Sequence, residues 1–158
     1  MTEEKDILIH DTAIIKRLHL FEKGNHIAID PFFYMTTRAL FGNWIHIGSH
    51  VSVIGGEEAV LRIGNYVAIS TGCRLICRSD NFKKKGLAIP FLPEKRELYG
   101  SFIQIDDKAI LGANVVVLPD VVIGEGAVVG ANSLVKDNLD PWGIYVGSPA
   151  RKIGERYD

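Results

Sequence analysis

Residues able to do chemistry are unevenly spread along this chain. All five histidines, at 10, 19, 26, 46 and 50, lie in the first 50 residues, and none follows. Imidazoles of this kind serve as bases or metal ligands near neutral pH. Asp80 stands between Ser79 and Asn81, just ahead of the run Lys83-Lys84-Lys85. A carboxylate there could take or orient a proton if burial raised its pKa. The lysines could reach phosphates, although a charge run on a loop is more often simply solvated. Cys73 and Cys77 form a C-x-x-x-C pair without further ligands, which is not a metal site. Cys73 is expected inside as a small apolar filler. Cys77 is near enough to Asp80 to line a site, but nothing activates its thiol.

The elements that position these groups follow from composition and period. The chain has 158 residues, 47% apolar and 23% charged, with a net charge of −1. That is one domain of ordinary size, neither disordered nor basic enough for a dedicated nucleic-acid surface. Its apolar runs are short of the ~20 residues that span a bilayer. The segment Met1–Asp6 has no apolar core of the signal-peptide kind, so a cytoplasmic location is expected. Two cysteines do not make a disulfide framework. Nineteen Ile and thirteen Val beside sixteen Gly point to an all-β fold.

A period of six is plain from Ile105 onward. Ile105, Leu111, Val117, Ile123, Val129 and Val135 open successive hexads, and Gly112, Gly124 and Gly130 stand second in three of them. Six fits neither a helix nor an alternating strand. It fits a short strand and a corner, three of which close a triangular coil of eighteen residues. The aliphatic residue points inward and stacks on its equivalent about 4.8 Å away. Glycine at the corner relieves strain and avoids a colliding Cβ. This is a hexapeptide parallel β-helix, a solenoid whose coils bury their core against one another. The same phase runs through Ile63, Ile69 and Leu75. Earlier it is shifted by two, at Phe41 and Ile47, with the slip in Gly55-Gly56-Glu57-Glu58. Residues 1–28 are expected as an irregular N-terminal cap, 29–80 and 103–140 as coils, and 141–158 as a C-terminal tail. Residues 81–102 break the pattern, with two prolines and two glycines, and leave the stack as an extended loop. A loop of that length is usually functional.

The stretch from Ile110 to Val135, followed by Tyr145-Val146-Gly147-Ser148-Pro149-Ala150-Arg151-Lys152-Ile153, resembles the hexapeptide-repeat acyltransferases. The likeness covers about residues 27–155 and is most specific from 103 to 153. It is nearest to the sugar acetyltransferases: galactoside and maltose acetyltransferases and those of bacterial surface-polysaccharide pathways. It implies a left-handed β-helix, an exception to the usual crossover rule. It also implies a homotrimer with sites between subunits, and acetyl-CoA as co-substrate without a metal. Carried over position by position, the cofactor contacts fall on Ala113, Ala131 and Lys136. The G-x-P-A-[RK] tail falls on Gly147, Pro149, Ala150 and Arg151, where Arg151 and Lys152 can meet the 3′-phosphate. A second basic residue common three positions later is Gly154 here.

Many members place a histidine at the start of the extended loop, and here Asp80 holds that place. Asp80 could be the base or orient the acceptor, with a raised pKa in a partly buried groove. His50, which aligns near an acceptor-binding asparagine of the galactoside and maltose enzymes, could supply an imidazole instead. Catalysis by positioning alone is the third possibility. Asn81 and Lys84, with His50, are the candidate acceptor contacts. A neutral amine attacks a thioester without a strong base, so the resemblance with Asp80 implies N-acetylation of a nucleotide-linked amino sugar ahead of O-acetylation. Two readings of other classes stand beside it. One is a non-catalytic scaffold or sugar-binding module. The other is a zinc carbonic anhydrase of the same solenoid, which His46-x3-His50 with no later histidine disfavours.

Overall fold

The β-branched columns form strands of two to five residues that assemble into three flat faces. The computed structural model describes residues 6–88 and 92–157. Face 1 stacks Ile7–Ile9, Ile27–Ile29, Ile45–Ile47, Ala68–Ile69, Ile110–Leu111, Val128–Val129 and Gly143–Val146 in parallel. Face 2 stacks Ile14–Ile15, Tyr34–Met35, Ser52–Ile54, Arg74–Ile76, Val116–Val117 and Leu134–Val135. Face 3 stacks Phe21–Lys23, Arg38–Phe41, Val60–Ile63, Phe102–Ile105 and Val121–Ile123. The chain visits the faces in the order 1, 2, 3 and repeats, so the all-β solenoid is built as the period of six requires.

Register explains the period. Leu111 pairs with Val129 and Val117 with Val135, eighteen residues apart. The first and fifth columns both point inward, from Ile105 and Ala109 to Val135 and Leu139, and every one of these residues is buried. They fill one continuous core with Phe33, Met35, Ile47 and Leu61. The phase slip is a four-residue insertion at the corner between faces 2 and 3, and the extended loop leaves from the same corner one coil later.

The expected irregular cap is a first coil with strands on all three faces, in which Ile7, Leu8 and Ile9 pair with Ile27, Ala28 and Ile29, twenty residues on, and Leu18–Leu20 forms a 3-10 turn; residues 1–5 lie outside the described residues. Three details depart from the sequence reading. The extended segment begins before 81: Ser79–Asp80 pairs antiparallel with Leu98–Tyr99 and forms a neck outside the coils. Beyond 140, Gly143–Val146 is still a coil strand, and Arg151–Glu155 then folds back antiparallel along it and covers that end of face 1. Finally, the positive-φ corner residues occupy the fourth column, at Lys108, Asn114, Asp120, Gly126 and Asn132, and not the second. Second-column glycine serves close approach: a Cβ on Gly112 would lie 2.7 Å from the Ala131 nitrogen in the next coil.

Side chains also tie coil to coil. At the corner between faces 3 and 1, the Asn25, Asn43 and Asn65 N–H groups donate to the side chains of Asn43, Asn65 and Asp107, at 2.8, 2.9 and 2.7 Å. Asn65 Oδ1 also accepts from Asn43 Nδ2 at 3.0 Å. Asn65→Ala leaves a half-buried N–H and the Asp107 carboxylate short of partners. Stability should fall by about 1–2 kcal/mol, read as a lower urea midpoint with unchanged slope.

Candidate active site

Asp80 owes its position to the neck. Ser79 and Asp80 lie opposite Tyr99 and Leu98, and the Asn81 N–H donates to the Glu97 carbonyl at 2.7 Å. Across the neck, Arg96 grips the carboxylate with both arms of its fork. Nε donates to Oδ1 at 2.8 Å and Nη2 to Oδ2 at 3.0 Å, with both side chains about one quarter exposed. The Arg96 hydrogen bonds hold the Asp80 carboxyl below its ordinary range and outweigh the upward effect of burial. The raised pKa expected for Asp80 is therefore corrected: this carboxylate stays ionised. It is a poor acid and a weak base, suited to accept hydrogen bonds from an acceptor group.

The other candidate residues are divided among corners. His50, Ala113 and Ala131 line up along the corner between faces 1 and 2. His50 adopts a left-handed backbone, φ 59°, and its exposed ring leans on Phe32 with centroids 4.8 Å apart. Ala113 and Ala131 are small and accessible there, beside Gly112 and Gly130, so the backbone is open to close approach. Asp80 and Lys136 belong to the corner between faces 2 and 3, two coils apart. Within one chain, face 2 separates His50 from Asp80, so the structure does not bring the two candidate bases together.

The tail sorts the cations. Gly147 donates to Ser133 Oγ at 3.0 Å, and Ala150 donates to the Leu134 carbonyl at 2.8 Å, which carries Pro149 across the edge of face 2. Arg151 then faces Asp137, 3.8 Å away, and Lys136 holds the same carboxylate at 2.9 Å. Lys152 pairs instead with Glu155 at 2.6 Å, which raises its pKa. Neighbouring strand residues point to opposite faces, so Arg151 shares the Asp137 carboxylate with Lys136 while Lys152 holds Glu155. Asn81 Oδ1 caps the turn by accepting from the Lys83 N–H at 3.1 Å, and Lys84 is exposed at the turn.

Both thiols are core groups. Cys73 points inward as expected and donates to the Gly112 carbonyl at 3.1 Å. Cys77 is fully buried and its pKa is pushed up to about 12 by desolvation, so it does not line the site. Among the described residues, no group of three or more His, Cys, Asp or Glu is placed to hold a metal ion. No helix among them is long and apolar enough to cross a membrane. Arg96, the partner of Asp80, carried no periodic signal; only its basic type, sixteen residues on in the loop, hinted at it.

Comparison with known proteins gives this geometry a setting. Residues 102–137 match the family model for the bacterial transferase hexapeptide (six repeats). A solved N-acyltransferase, AntD from Bacillus cereus in complex with dTDP and 3-hydroxybutyryl-CoA, superposes with a TM-score of 0.92. The two are 33% identical, over 97% of this chain and 81% of AntD. The chain belongs to the hexapeptide-repeat acyltransferases. Its solenoid is the left-handed parallel β-helix of that family. A variant of AntD in complex with dTDP-4-amino-4,6-dideoxyglucose and coenzyme A superposes equally well, at 32% identity over 98% of this acyltransferase and 83% of that chain. The dTDP-4-amino-4,6-dideoxy-D-glucose acyltransferase of Escherichia coli is 28% identical over 96% of this chain and 80% of its own length.

Proposed function

We propose that this acyltransferase moves an acetyl group from acetyl-CoA to the amino group of a dTDP-linked amino-deoxy sugar, in a step of bacterial surface-glycan biosynthesis. The observation that carries the reading is the near-complete superposition on AntD complexes that hold coenzyme A and a dTDP-4-amino sugar. The Asp80–Arg96 pair supports it from this chain's own side. A carboxylate held ionised is too weak a base to deprotonate a sugar hydroxyl. It suffices for an amine, whose nitrogen attacks first and becomes strongly acidic once bonded to the carbonyl carbon. Asp80 would accept a hydrogen bond from the amine, aim its lone pair and receive the proton after attack.

The corner between faces 1 and 2 fits acetyl-CoA, which supplies the thioester. Ala113 and Ala131 leave the backbone open to the pantetheine arm, and Arg151, on the tail strand that starts opposite Val146 beside the same corner, offers charge to a phosphate. Because Asp80 and this corner lie on opposite edges of face 2, a working site needs the Asp80 edge of one copy against the coenzyme edge of the next. A head-to-tail contact closes into a ring where its rotation allows, and the family resemblance makes that ring a homotrimer in this reading. Nucleotide sugars and acetyl-CoA are cytoplasmic metabolites, which supports a cytoplasmic location.

Two assays test the reading. With acetyl-CoA and dTDP-4-amino-4,6-dideoxyglucose, free thiol should be released and the amide formed, whereas the 4-hydroxy sugar nucleotide should be a far poorer acceptor. Failure with every amino sugar, or failure to bind coenzyme A, overturns the proposal and favours a non-catalytic module. Arg151→Ala should weaken coenzyme A binding about tenfold through loss of a charge-assisted contact, while Lys152→Ala should change it by less than about twofold; calorimetry reads both.

A further inference from the structure

A cavity lies on the corner between faces 2 and 3, beside the Asp80–Arg96 pair, and its other arginines have no part in the acyl transfer. It has a volume of about 480 Å³ and is lined by Arg17, Thr36, Gly55, Gly56, Arg78 and Arg96, among others. These residues come from four successive coils, which at about 4.8 Å per coil make a trough about 14 Å tall. Arg96 forms its upper end and also holds Asp80. Arg17 and Arg78 are each held by one carboxylate of the four-residue insertion, Arg17 by Glu57 at 3.5 Å and Arg78 by Glu58. Those carboxylates are the exposed partners: Glu57 is 63% and Glu58 75% exposed, against 30% and 25% for the arginines. Among the described residues, Arg17 Nε and Arg78 Nε are buried without any hydrogen-bond partner. A buried guanidinium N–H without an acceptor is costly, and two of them in one trough call for an anion with several oxygens.

We infer that this trough is the diphosphate subsite of the acceptor, with Arg17 and Arg78 as its ligands and Glu57 and Glu58 as placeholders that swing into solvent. The inference rests on the nucleotide-sugar reading above and adds where the nucleotide lies. A diphosphate offers the bidentate oxygens that guanidinium forks match. Gly55 and Gly56 leave the trough wall low, and a Cβ on Gly56 would meet nothing within 4 Å. With the diphosphate at Arg78, the sugar reaches upward to Asp80 and the nucleoside downward past Arg17.

The placeholder role gives a test that simple misfolding cannot mimic. Binding of dTDP, inorganic pyrophosphate and coenzyme A is measured by calorimetry for the wild type and for Arg17→Gln, Arg78→Gln and Glu58→Gln. Each arginine variant should bind dTDP and pyrophosphate at least tenfold more weakly with coenzyme A affinity unchanged. Glu58→Gln should bind both severalfold more tightly, because the competing carboxylate is gone. Unchanged dTDP and pyrophosphate affinity in both arginine variants overturns the subsite, even where the wild type acetylates the amino sugar. A loss of coenzyme A binding that parallels the loss of dTDP assigns these arginines to coenzyme phosphates and overturns it too. Absence of turnover in a wild type whose pyrophosphate binding still depends on Arg17 and Arg78 defeats the nucleotide-sugar reading and leaves the anion site standing.

Discussion

Asp80→Asn should lower kcat by about two to three orders of magnitude, the usual share of a positioned proton acceptor, while coenzyme A binds as before. The substitution keeps size and shape but removes the charge that Arg96 grips at 2.8 and 3.0 Å. An amide also offers an N–H₂ where the incoming amine needs an acceptor. The pH profile separates this role from a structural one. Arg96 favours the anion and so lowers the Asp80 pKa. The carboxylate therefore persists at pH values below the ordinary carboxylate range of about 4. Activity above that range should rise only as the acceptor amine loses its proton, with no limb from Asp80. Removing the fork in Arg96→Leu lets the Asp80 pKa climb back, so any acid limb moves to higher pH. The same sign governs folding. The pair's contribution is present at neutral pH and is lost only as pH falls through the lowered pKa.

Gly100→Val should be the most damaging single change to the neck. Gly100 sits where the excursion rejoins face 3, with φ of +91°, a conformation that a β-branched residue adopts only under strain. A Cβ there would lie 2.8 Å from the Cys77 carbonyl oxygen and 2.9 Å from Pro119 Cγ, and closer still to Pro119 Cβ. Neither neighbour can yield: Cys77 is in the core, and the proline ring is rigid. Stability should fall by roughly 3 kcal/mol or more, seen as a lower melting temperature. In the molecules that do fold, the displaced neck takes Asp80 off its position. Activity should fall further than the folded fraction does. Equal loss of fold and activity would contradict the link between the neck and the site.

How far the chain could be read in advance follows from what repeats. Leu111, Val129 and their companions recur every six residues because each must stack on the one below, so the coils were legible. The first coil was legible only as an irregular cap, because it runs twenty residues to its partner in the next coil, from Ile7 to Ile27, and Leu18–Leu20 forms a 3-10 turn within it. Asp80 stood out as the first residue of consequence after the period broke. Its partner did not: Arg96 meets it through an antiparallel neck pairing inside an aperiodic loop, and burial alone would push the pKa the other way. The split between Arg151 and Lys152 follows from strand alternation, but the tail gave no sign that it would turn back as a strand. The trough at Arg17 and Arg78 joins residues sixty-one positions apart whose only shared property is the corner they occupy.

The most direct test of the account is complementation between two dead variants. Asp80→Asn removes the carboxylate edge, and Ala131→Trp fills the coenzyme edge; each alone should be inactive. If the site is shared between neighbouring copies, trimers reassembled from an equal mixture regain activity, with about a quarter of sites intact, because one contact in each mixed ring joins two unaltered edges. A mixture that stays inactive although mixed trimers form, or either variant active on its own, would contradict it.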